Sequence, residues 1–129
     1  MSDSGMTAKA KAKPKILVVD DERVIADTLT TILNQAGFEA AAAYTGKGAV
    51  ESARSSRPDL VISDVIMPDM NGIEAAIQIR GILPACKILL FSGQAATADL
   101  LERARAQGHE FEILAKPVHP QDLLAKLKG

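Results

Sequence analysis

The sequence predicts an α/β fold, a doubly wound five-stranded parallel sheet with alternating helices. Three observations support this prediction: five short apolar segments recur along the 129 residues, the stretches between them show helical periodicity, and the apolar segments are nearly continuous rather than alternating. Continuous apolar strands indicate burial on both faces of a sheet. Parallel neighbours also need long crossover connections, which helices usually provide.

Each predicted strand is an apolar run bounded by polar or small residues. In chain order the runs are KILVVD, FEAAAAY, DLVISD, CKILLFS and FEILAK, and they end near Asp20, Ala43, Asp64, Ser92 and Lys116. The stretches between successive runs are long enough for one helix and two loops. We therefore expect five strands and five helices in strict alternation.

Each predicted helix has residues at helical spacing on one face or clear end signals. The first helix should end at Gly37, the fourth should run from about residue 95 to residue 107, and the fifth should begin at Pro120. The predicted inward faces comprise Ile25, Leu29, Ile32 and Leu33 in the first helix, Ala49, Val50 and Ala53 in the second, Ile73, Ala76, Ile77 and Arg80 in the third, and Leu123, Leu124 and Leu127 in the last.

The composition is that of a folded globular protein. Hydrophobic residues make up 47% and charged residues 24% of the chain, which argues against disorder of the whole chain. The apolar runs are much shorter than the roughly 20 residues of a membrane helix, so we expect a cytoplasmic protein. Cys86 is the only cysteine, which excludes an intramolecular disulfide, and its apolar surroundings predict a buried structural thiol.

Charge divides the chain into two predicted parts. Residues 1–14 carry Lys9, Lys11 and Lys13 against Asp3, and we interpret them as a flexible basic tail. No aromatic residue or arginine is interleaved with these lysines, so we expect no direct nucleic-acid contact and no membrane contact. Residues 15–129 are predicted to form a single domain, because that length suits one hydrophobic core.

Polar residues follow four of the predicted strands. Asp20 and Asp21 follow the first strand, Asp64 the third, Ser92 the fourth and Lys116 the fifth. Each alone is commonly a turn, cap or surface residue, but ligands of doubly wound sheets bind at this carboxyl edge. Three carboxylates in one concavity raise one another's pKa values unless a cation compensates. Oxygen ligands of this kind favour Mg²⁺, so the sequence predicts a magnesium site.

Four motifs resemble those of the receiver domain of two-component response regulators, a family with a flavodoxin-like fold that includes chemotaxis response regulators. They are VVDDE, DLVISDVIMPDMNG, LLFSG and LAKPV, in the family's order and close to its spacing, and the resemblance spans about residues 15–128. The most specific parts are Asp-x-x-Met-Pro-x-Met-x-Gly, from Asp64 to Gly72, and the pair Lys116 and Pro117. The resemblance implies that residues 15–129 are a receiver domain.

The resemblance implies that Asp64 is the phosphoacceptor for a phosphohistidine. Asp21 and Asp64 would ligate Mg²⁺ directly, together with the backbone carbonyl of Ile66, whereas Asp20 would act through a metal-bound water. Phosphoryl transfer needs in-line positioning and neutralisation of charge, which Mg²⁺ and a lysine supply. The aspartyl phosphate is later hydrolysed, so the domain would catalyse its own phosphorylation and dephosphorylation without being a conventional turnover enzyme.

The same resemblance assigns the phosphoryl-binding hydroxyl to Ser92 and the phosphoryl-binding lysine to Lys116. Because the family holds this Lys-Pro bond in cis, we predict a cis peptide between Lys116 and Pro117. The family's aromatic switch position, three residues before the lysine, is Ile113 here, and Phe111 lies two residues earlier. The predicted switch residues are Ser92, Ile113 and Pro117, and the predicted output face comprises the fourth helix, the fifth strand and the fifth helix.

A receiver domain implies two kinds of partner. The donor would be a sensor histidine kinase or a histidine phosphotransfer protein, and the recipient would be a separate downstream effector protein. The final LLAKLKG is followed by no linker or helix-turn-helix pattern. If the sequence is the full gene product, we therefore expect the output domain on another polypeptide; the alternative is a receiver domain excised from a longer protein.

Two alternatives come from other classes. A phosphohydrolase of the haloacid dehalogenase type would require Asp-x-Asp after its first strand, and DDERV does not provide it. A noncatalytic flavodoxin-like adaptor, a pseudo-receiver, is the second alternative. Such an adaptor would not need Asp64, Ser92 and Lys116 together.

Overall fold

The computed structural model describes residues 13–93 and 96–128. Residues 1–12 lie outside the described part, so the flexible tail stays a prediction. Within the described residues, five strands alternate with five helices, in the order β1 Lys15–Val19, α1 Arg23–Gln35, β2 Glu39–Ala43, α2 Gly46–Ser56, β3 Leu60–Asp64, α3 Gly72–Ile82, β4 Lys87–Ser92, α4 Ala96–Ala106, β5 Glu112–Ala115 and α5 Pro120–Lys128.

The strands form one parallel sheet in the order β2-β1-β3-β4-β5. The order reverses beside β1, between β1 and β3, which is where doubly wound sheets bind ligands at their carboxyl ends. The predicted fold class, a doubly wound five-stranded α/β sheet, is therefore confirmed. Within the described residues, no helix combines the length and apolarity that a bilayer crossing requires.

The core has one apolar layer on each face of the sheet. Successive side chains of β1 point to opposite faces, so Leu17 and Val19 join one layer whereas Ile16 and Val18 join the other. The first layer also receives buried side chains from α2, α3 and α4, and the second receives them from α1 and α5. Burial on both faces explains why the central strands are nearly continuous in apolar residues.

Several predictions about helix ends and about Cys86 are confirmed. Gly37 follows α1 with a φ of +103°, a left-handed conformation that glycine adopts without steric cost. Pro120 is the first residue of α5, where its missing N–H costs no helical hydrogen bond. Cys86 is buried, and burial raises the pKa of its thiol to about 11.

Two predicted inward faces need correction. Ile25 was predicted to be buried on α1, but it is 38% exposed, and the adjacent Ala26 is buried with Leu29 and Leu33 instead. On α3, the predicted Ile77 and Arg80 are only partly buried, and the fully buried residues besides Ile73 and Ala76 are Gly72, Ala75 and Ile79. In both helices small residues face the sheet, because closely packed helices and strands leave little room for larger side chains.

Candidate functional site

The three predicted acidic residues meet at the carboxyl edge of the sheet. Asp20 follows β1 directly, Asp21 is next to it, and Asp64 is the last residue of β3. Each offers a carboxylate oxygen, and these oxygens all lie within 4.8 Å of one another. Asp20 and Asp64 are buried whereas Asp21 is exposed. The cluster is therefore open to solvent on one side and embedded in the sheet edge on the other.

Asp20 is the most deeply buried of the three carboxylates, with 0% of the residue exposed. One of its oxygens, Oδ1, accepts a hydrogen bond from the backbone N–H of Glu22 at 2.9 Å. The other, Oδ2, is buried and has no hydrogen-bond partner within the described residues. Burial raises the pKa of Asp20 above its usual range, the nearby carboxylate of Asp64 adds to this effect, and the Glu22 hydrogen bond opposes it.

These features test whether a divalent cation fits the site. An unpaired buried carboxylate oxygen is costly unless a charged partner satisfies it. Two further carboxylates are within reach of the same position, and hard cations such as Mg²⁺ take oxygen ligands in this way. The donor set therefore fits the predicted cation.

Lys116 contacts the acidic cluster through Asp64. It follows β5, and its Nζ atom lies 2.9 Å from Asp64 Oδ1. The Asp64 side chain is 9% exposed and that of Lys116 is 35% exposed, so the pair is screened less than a surface ion pair. The peptide bond between Lys116 and Pro117 is cis, as predicted.

Ser92 is the last residue of β4, and its register partner on β5 is Ala115, which precedes Lys116. The Ser92 hydroxyl is hydrogen-bonded to the hydroxyl of Thr97, in the first turn of α4. Thr97 is buried, with 2% of the residue exposed. Thr97 carries no signal in the sequence, because a threonine near the start of a helix is ordinary and only the fold brings it to the site.

A concavity of about 230 Å³ opens between these groups. Its lining residues come from four strand ends or the loops after them and from the first turn of α4, and they are Asp21, Glu22, Asp64, Ile66, Phe91, Gly93, Thr97 and Lys116. The lining includes the carboxylates of Asp21 and Asp64 and the Lys116 ammonium, so an anionic group beside a cation would be electrostatically favoured here. Ile66 is 47% exposed.

The loop from β3 to α3 is held tightly around Asp64. The buried Ser63 hydroxyl donates to the Asp64 carbonyl at 2.9 Å, and the Gly72 N–H donates to the Val65 carbonyl at 2.7 Å. A Cβ atom on Gly72 would lie only 2.0 Å from the Asp64 carbonyl oxygen. Only glycine therefore allows α3 to begin this close to Asp64.

Asp69 connects the same loop to the start of α2. Its two carboxylate oxygens accept hydrogen bonds from the backbone N–H groups of Gly46 at 3.1 Å and Lys47 at 3.0 Å. These hydrogen bonds hold the pKa of Asp69 below its usual range, that of Lys47 having the largest effect. These hydrogen bonds hold the loop that follows Asp64 against the start of α2.

The predicted switch position is not aromatic and is partly exposed. Ile113, in β5, is 37% exposed. Phe111 packs partly buried against the core layer, and the Arg80 guanidinium lies over its ring at 4.3 Å from the centroid. The Phe111 side chain, two residues before the switch position in the sequence, thus contacts α3 through Arg80.

Known proteins resemble this chain in sequence. The family profile of the response regulator receiver domain matches residues 16–128. Chemotaxis protein CheY of Thermotoga maritima is 35% identical over 114 residues, which cover 88% of this chain and 93% of CheY. The probable transcriptional regulatory protein TcrX of Mycobacterium tuberculosis is 32% identical over 114 residues, and these cover 88% of this chain but 48% of TcrX. The chain therefore spans about half the length of TcrX.

Solved structures show the same architecture. A CheY-like receiver domain protein from Methanospirillum hungatei superposes with a TM-score of 0.81 at 28% identity, covering 91% of this chain and 92% of that chain. The family match and the shared fold together identify a signalling domain of two-component systems. The chain belongs to the response regulator receiver domain family.

Proposed function

We propose that this domain is the phosphoacceptor of a phosphorelay. Asp64 accepts a phosphoryl group from the phosphohistidine of a sensor histidine kinase or a histidine phosphotransfer protein, and the modified domain binds a separate effector protein. The observation that carries the proposal is the 2.9 Å contact of Lys116 Nζ with Asp64 Oδ1, beside two further carboxylates. The proposal includes a cytoplasmic location.

The cation would be held by the three carboxylates. Asp21 and Asp64 would ligate Mg²⁺ directly with the backbone carbonyl of Ile66, and Asp20 would act through a metal-bound water. When bound, Mg²⁺ would neutralise negative charge on the transferred group. Among residues 13–93 and 96–128, the buried Oδ2 atom of Asp20 has no hydrogen-bond partner. This supports the assignment, because such an oxygen needs a positively charged or donating partner.

The transfer itself uses an oxygen of the Asp64 carboxylate as the nucleophile. This oxygen attacks phosphorus, a phosphorus-oxygen bond forms, and the phosphorus-nitrogen bond of the phosphohistidine breaks. The electron pair of that bond remains on the imidazole nitrogen. The Lys116 ammonium, which contacts the Asp64 carboxylate before the transfer, would then bind the negatively charged phosphoryl oxygens. The Ser92 hydroxyl would donate a hydrogen bond to one of these oxygens.

Hydrolysis returns the domain to its starting state. Water attacks the phosphorus atom, the bond between phosphorus and the Asp64 oxygen breaks, and the carboxylate is restored together with inorganic phosphate. Both steps occur at the same residue, so the domain promotes its own phosphorylation and dephosphorylation. The partner kinase supplies only the phosphoryl group in this scheme.

The output would use the face formed by α4, β5 and α5. New hydrogen bonds from the phosphoryl group to Ser92 and Lys116 would bias two arrangements of this region. Ser92 and Lys116 lie at the ends of neighbouring strands, which supports a link from the site to this face. Ile113 would take the family's aromatic position on β5, and Pro117 would fix the backbone after Lys116.

A noncatalytic adaptor is not favoured. An adaptor could use the same fold without the carboxylate cluster, and a buried unpaired carboxylate oxygen would then lower stability without a functional gain. The close ion pair of Asp64 and Lys116 also has no role in such an adaptor. Both features are explained by a site that binds a cation and an anionic phosphoryl group.

Intact-mass spectrometry with acetyl phosphate tests the proposal. We expect a labile gain of one phosphoryl group in the presence of Mg²⁺, and no gain in EDTA or in Asp64→Asn. The matched control is Asp122→Asn, which changes an exposed carboxylate in the first turn of α5 and should be phosphorylated like the unchanged protein. A gain of equal size in Asp64→Asn would refute the assignment of the phosphoacceptor.

A further inference from the structure

The buried hydroxyl of Thr97 has no role in the scheme above. It lies in the first turn of α4 and is hydrogen-bonded to the hydroxyl of Ser92, at the end of β4. Thr97 also lines the same concavity as Asp64 and Lys116. The pair of hydroxyl groups therefore connects the phosphoryl site directly to α4.

The direction of this hydrogen bond depends on what Ser92 binds. A hydroxyl group has one proton to donate and two lone pairs to accept with, and here either oxygen can be the donor. Once the Ser92 hydroxyl donates its only proton to a phosphoryl oxygen, the hydrogen bond between the two hydroxyl groups persists only with Thr97 as its donor. Donation to the Ser92 oxygen polarises its O–H bond, which strengthens the hydrogen bond to the phosphoryl group.

Burial makes this arrangement effective. Thr97 is only 2% exposed, so water competes little for its hydroxyl, and a hydrogen bond in such surroundings is stronger than one in bulk solvent. A Ser92 hydroxyl without Thr97 would be free to rotate about its side chain, and it would lose conformational freedom when it binds the phosphoryl group.

We propose that Thr97 is a positioning residue of the phosphoryl site, whose hydroxyl orients that of Ser92 toward the phosphoryl group on Asp64. The same hydrogen bond transmits binding at Asp64 to the first turn of α4. This inference rests on the proposed function, because it requires a phosphoryl group at Asp64. It adds to that function a specific hydrogen bond, between Thr97 and Ser92, that connects the phosphoryl site to helix α4.

Titration with beryllofluoride, a stable mimic of the phosphoryl group, tests the inference in the presence of Mg²⁺. Thr97→Val replaces the hydroxyl with a methyl group of similar size, and we expect it to weaken beryllofluoride binding by about 3- to 10-fold, the effect of one hydrogen bond. Thr97→Ser keeps the hydroxyl and should restore most of the affinity. In a Ser92→Ala background, Thr97→Val should have no further effect.

A matched control is Thr30→Val. Thr30, on α1, has a buried hydroxyl with no hydrogen-bond partner among the residues described, so its replacement should leave beryllofluoride affinity unchanged. A purely structural Thr97 would change the unfolding temperature of Thr97→Val but not the ligand affinity. If Thr97→Val does not fold, Thr97→Ala gives the same comparison with a smaller side chain.

The coupling to α4 has its own readout in backbone amide spectra. Beryllofluoride should shift amide resonances in the first turn of α4 in the unchanged protein and in Thr97→Ser, and these shifts should be much smaller in Thr97→Val. Unchanged affinity in Thr97→Val would overturn this inference while the proposed function stands. Failure of the unchanged protein to bind beryllofluoride or accept a phosphoryl group would overturn both.

Discussion

Replacement of Asp20 by asparagine should stabilise the domain when no divalent cation is present. Asp20 is fully buried and its Oδ2 atom has no partner within the described residues, and an unsatisfied buried polar atom costs about 1 to 3 kcal/mol. Asparagine keeps an oxygen to accept the Glu22 N–H and still buries an amide group in the place of Oδ2, but it removes the buried negative charge and its repulsion with Asp64. We therefore expect Asp20→Asn to raise the free energy of unfolding by about 1 to 3 kcal/mol in EDTA.

The sign agrees with the pKa of this carboxyl group. Burial raises the pKa of Asp20, so the folded state binds the proton more tightly than the unfolded state does. Ionisation of Asp20 therefore lowers stability as the pH rises through its raised pKa. At neutral pH the asparagine variant avoids this loss.

Thermal unfolding at neutral pH measures the effect. A gain of this size in a domain of this length corresponds to roughly 3 to 10 °C in unfolding temperature. Addition of Mg²⁺ should stabilise the unchanged protein by mass action and should stabilise Asp20→Asn less. Asp21→Asn is the matched comparison: Asp21 is exposed, so this variant should lose Mg²⁺ stabilisation but gain less stability in EDTA.

Two results would refute the reasoning. The first is an Asp20→Asn variant that is less stable than the unchanged protein in EDTA, because the buried oxygen would then have a satisfactory partner. The second is an equal Mg²⁺-dependent gain in both proteins, which would mean that Asp20 takes no part in holding the cation.

Three further predictions concern the loop at the site, acid stability and the thiol. Gly72→Ala places a Cβ atom 2.0 Å from the Asp64 carbonyl oxygen, so it should lower the free energy of unfolding by about 1 to 3 kcal/mol and slow phosphorylation by acetyl phosphate. Gly81 has open space around it, so Gly81→Ala should change neither the free energy of unfolding nor the phosphorylation rate. Asp69 has a lowered pKa, so its stabilising effect is present above the usual pKa of 3.8 and is lost as the pH falls through its lower folded value. In Asp69→Asn the unfolding temperature should therefore fall less steeply with decreasing pH than in the unchanged protein. Parallel plots of unfolding temperature against pH for the two proteins would contradict this. The Cys86 thiol, with a pKa of about 11, should react with a disulfide reagent at neutral pH much more slowly in the folded than in the urea-unfolded protein, and equal rates would show that it is accessible.

The alternation of strands and helices was predictable because burial on both faces leaves a strong pattern in the sequence. The apolar runs before Asp20, Asp64 and Ser92 coincide with β1, β3 and β4, and such nearly continuous apolar runs are typical of parallel strands buried on both faces. The proximity of the polar residues at the strand ends was also predictable, because all carboxyl ends of a parallel sheet lie at one edge. The structure places them there, and their roles stay predictions.

The inward face of α1 was harder to predict because hydrophobicity alone does not identify it. Ile25 is more apolar than Ala26, yet Ala26 is buried and Ile25 is 38% exposed. Ile25 instead borders a groove beside α5 that also includes Val24 and Pro117. Close packing of a helix on a sheet selects small side chains at the contact, and this depends on the distance between the elements, which a single sequence does not contain.

The hydroxyl pair of Ser92 and Thr97 is a contact of the same kind. Thr97 has no unusual neighbours in the sequence GQAATAD, and only the packing of α4 against the end of β4 brings its hydroxyl to Ser92. The family's aromatic switch position holds Ile113 in this chain. The aromatic ring of Phe111, two residues earlier, lies under the Arg80 guanidinium of α3 instead. If the domain signals through α4 and β5, a hydrogen bond that joins the site to α4 supplies a path that does not require an aromatic side chain at residue 113. The coupling test on Thr97 therefore bears on the output mechanism as well as on the site.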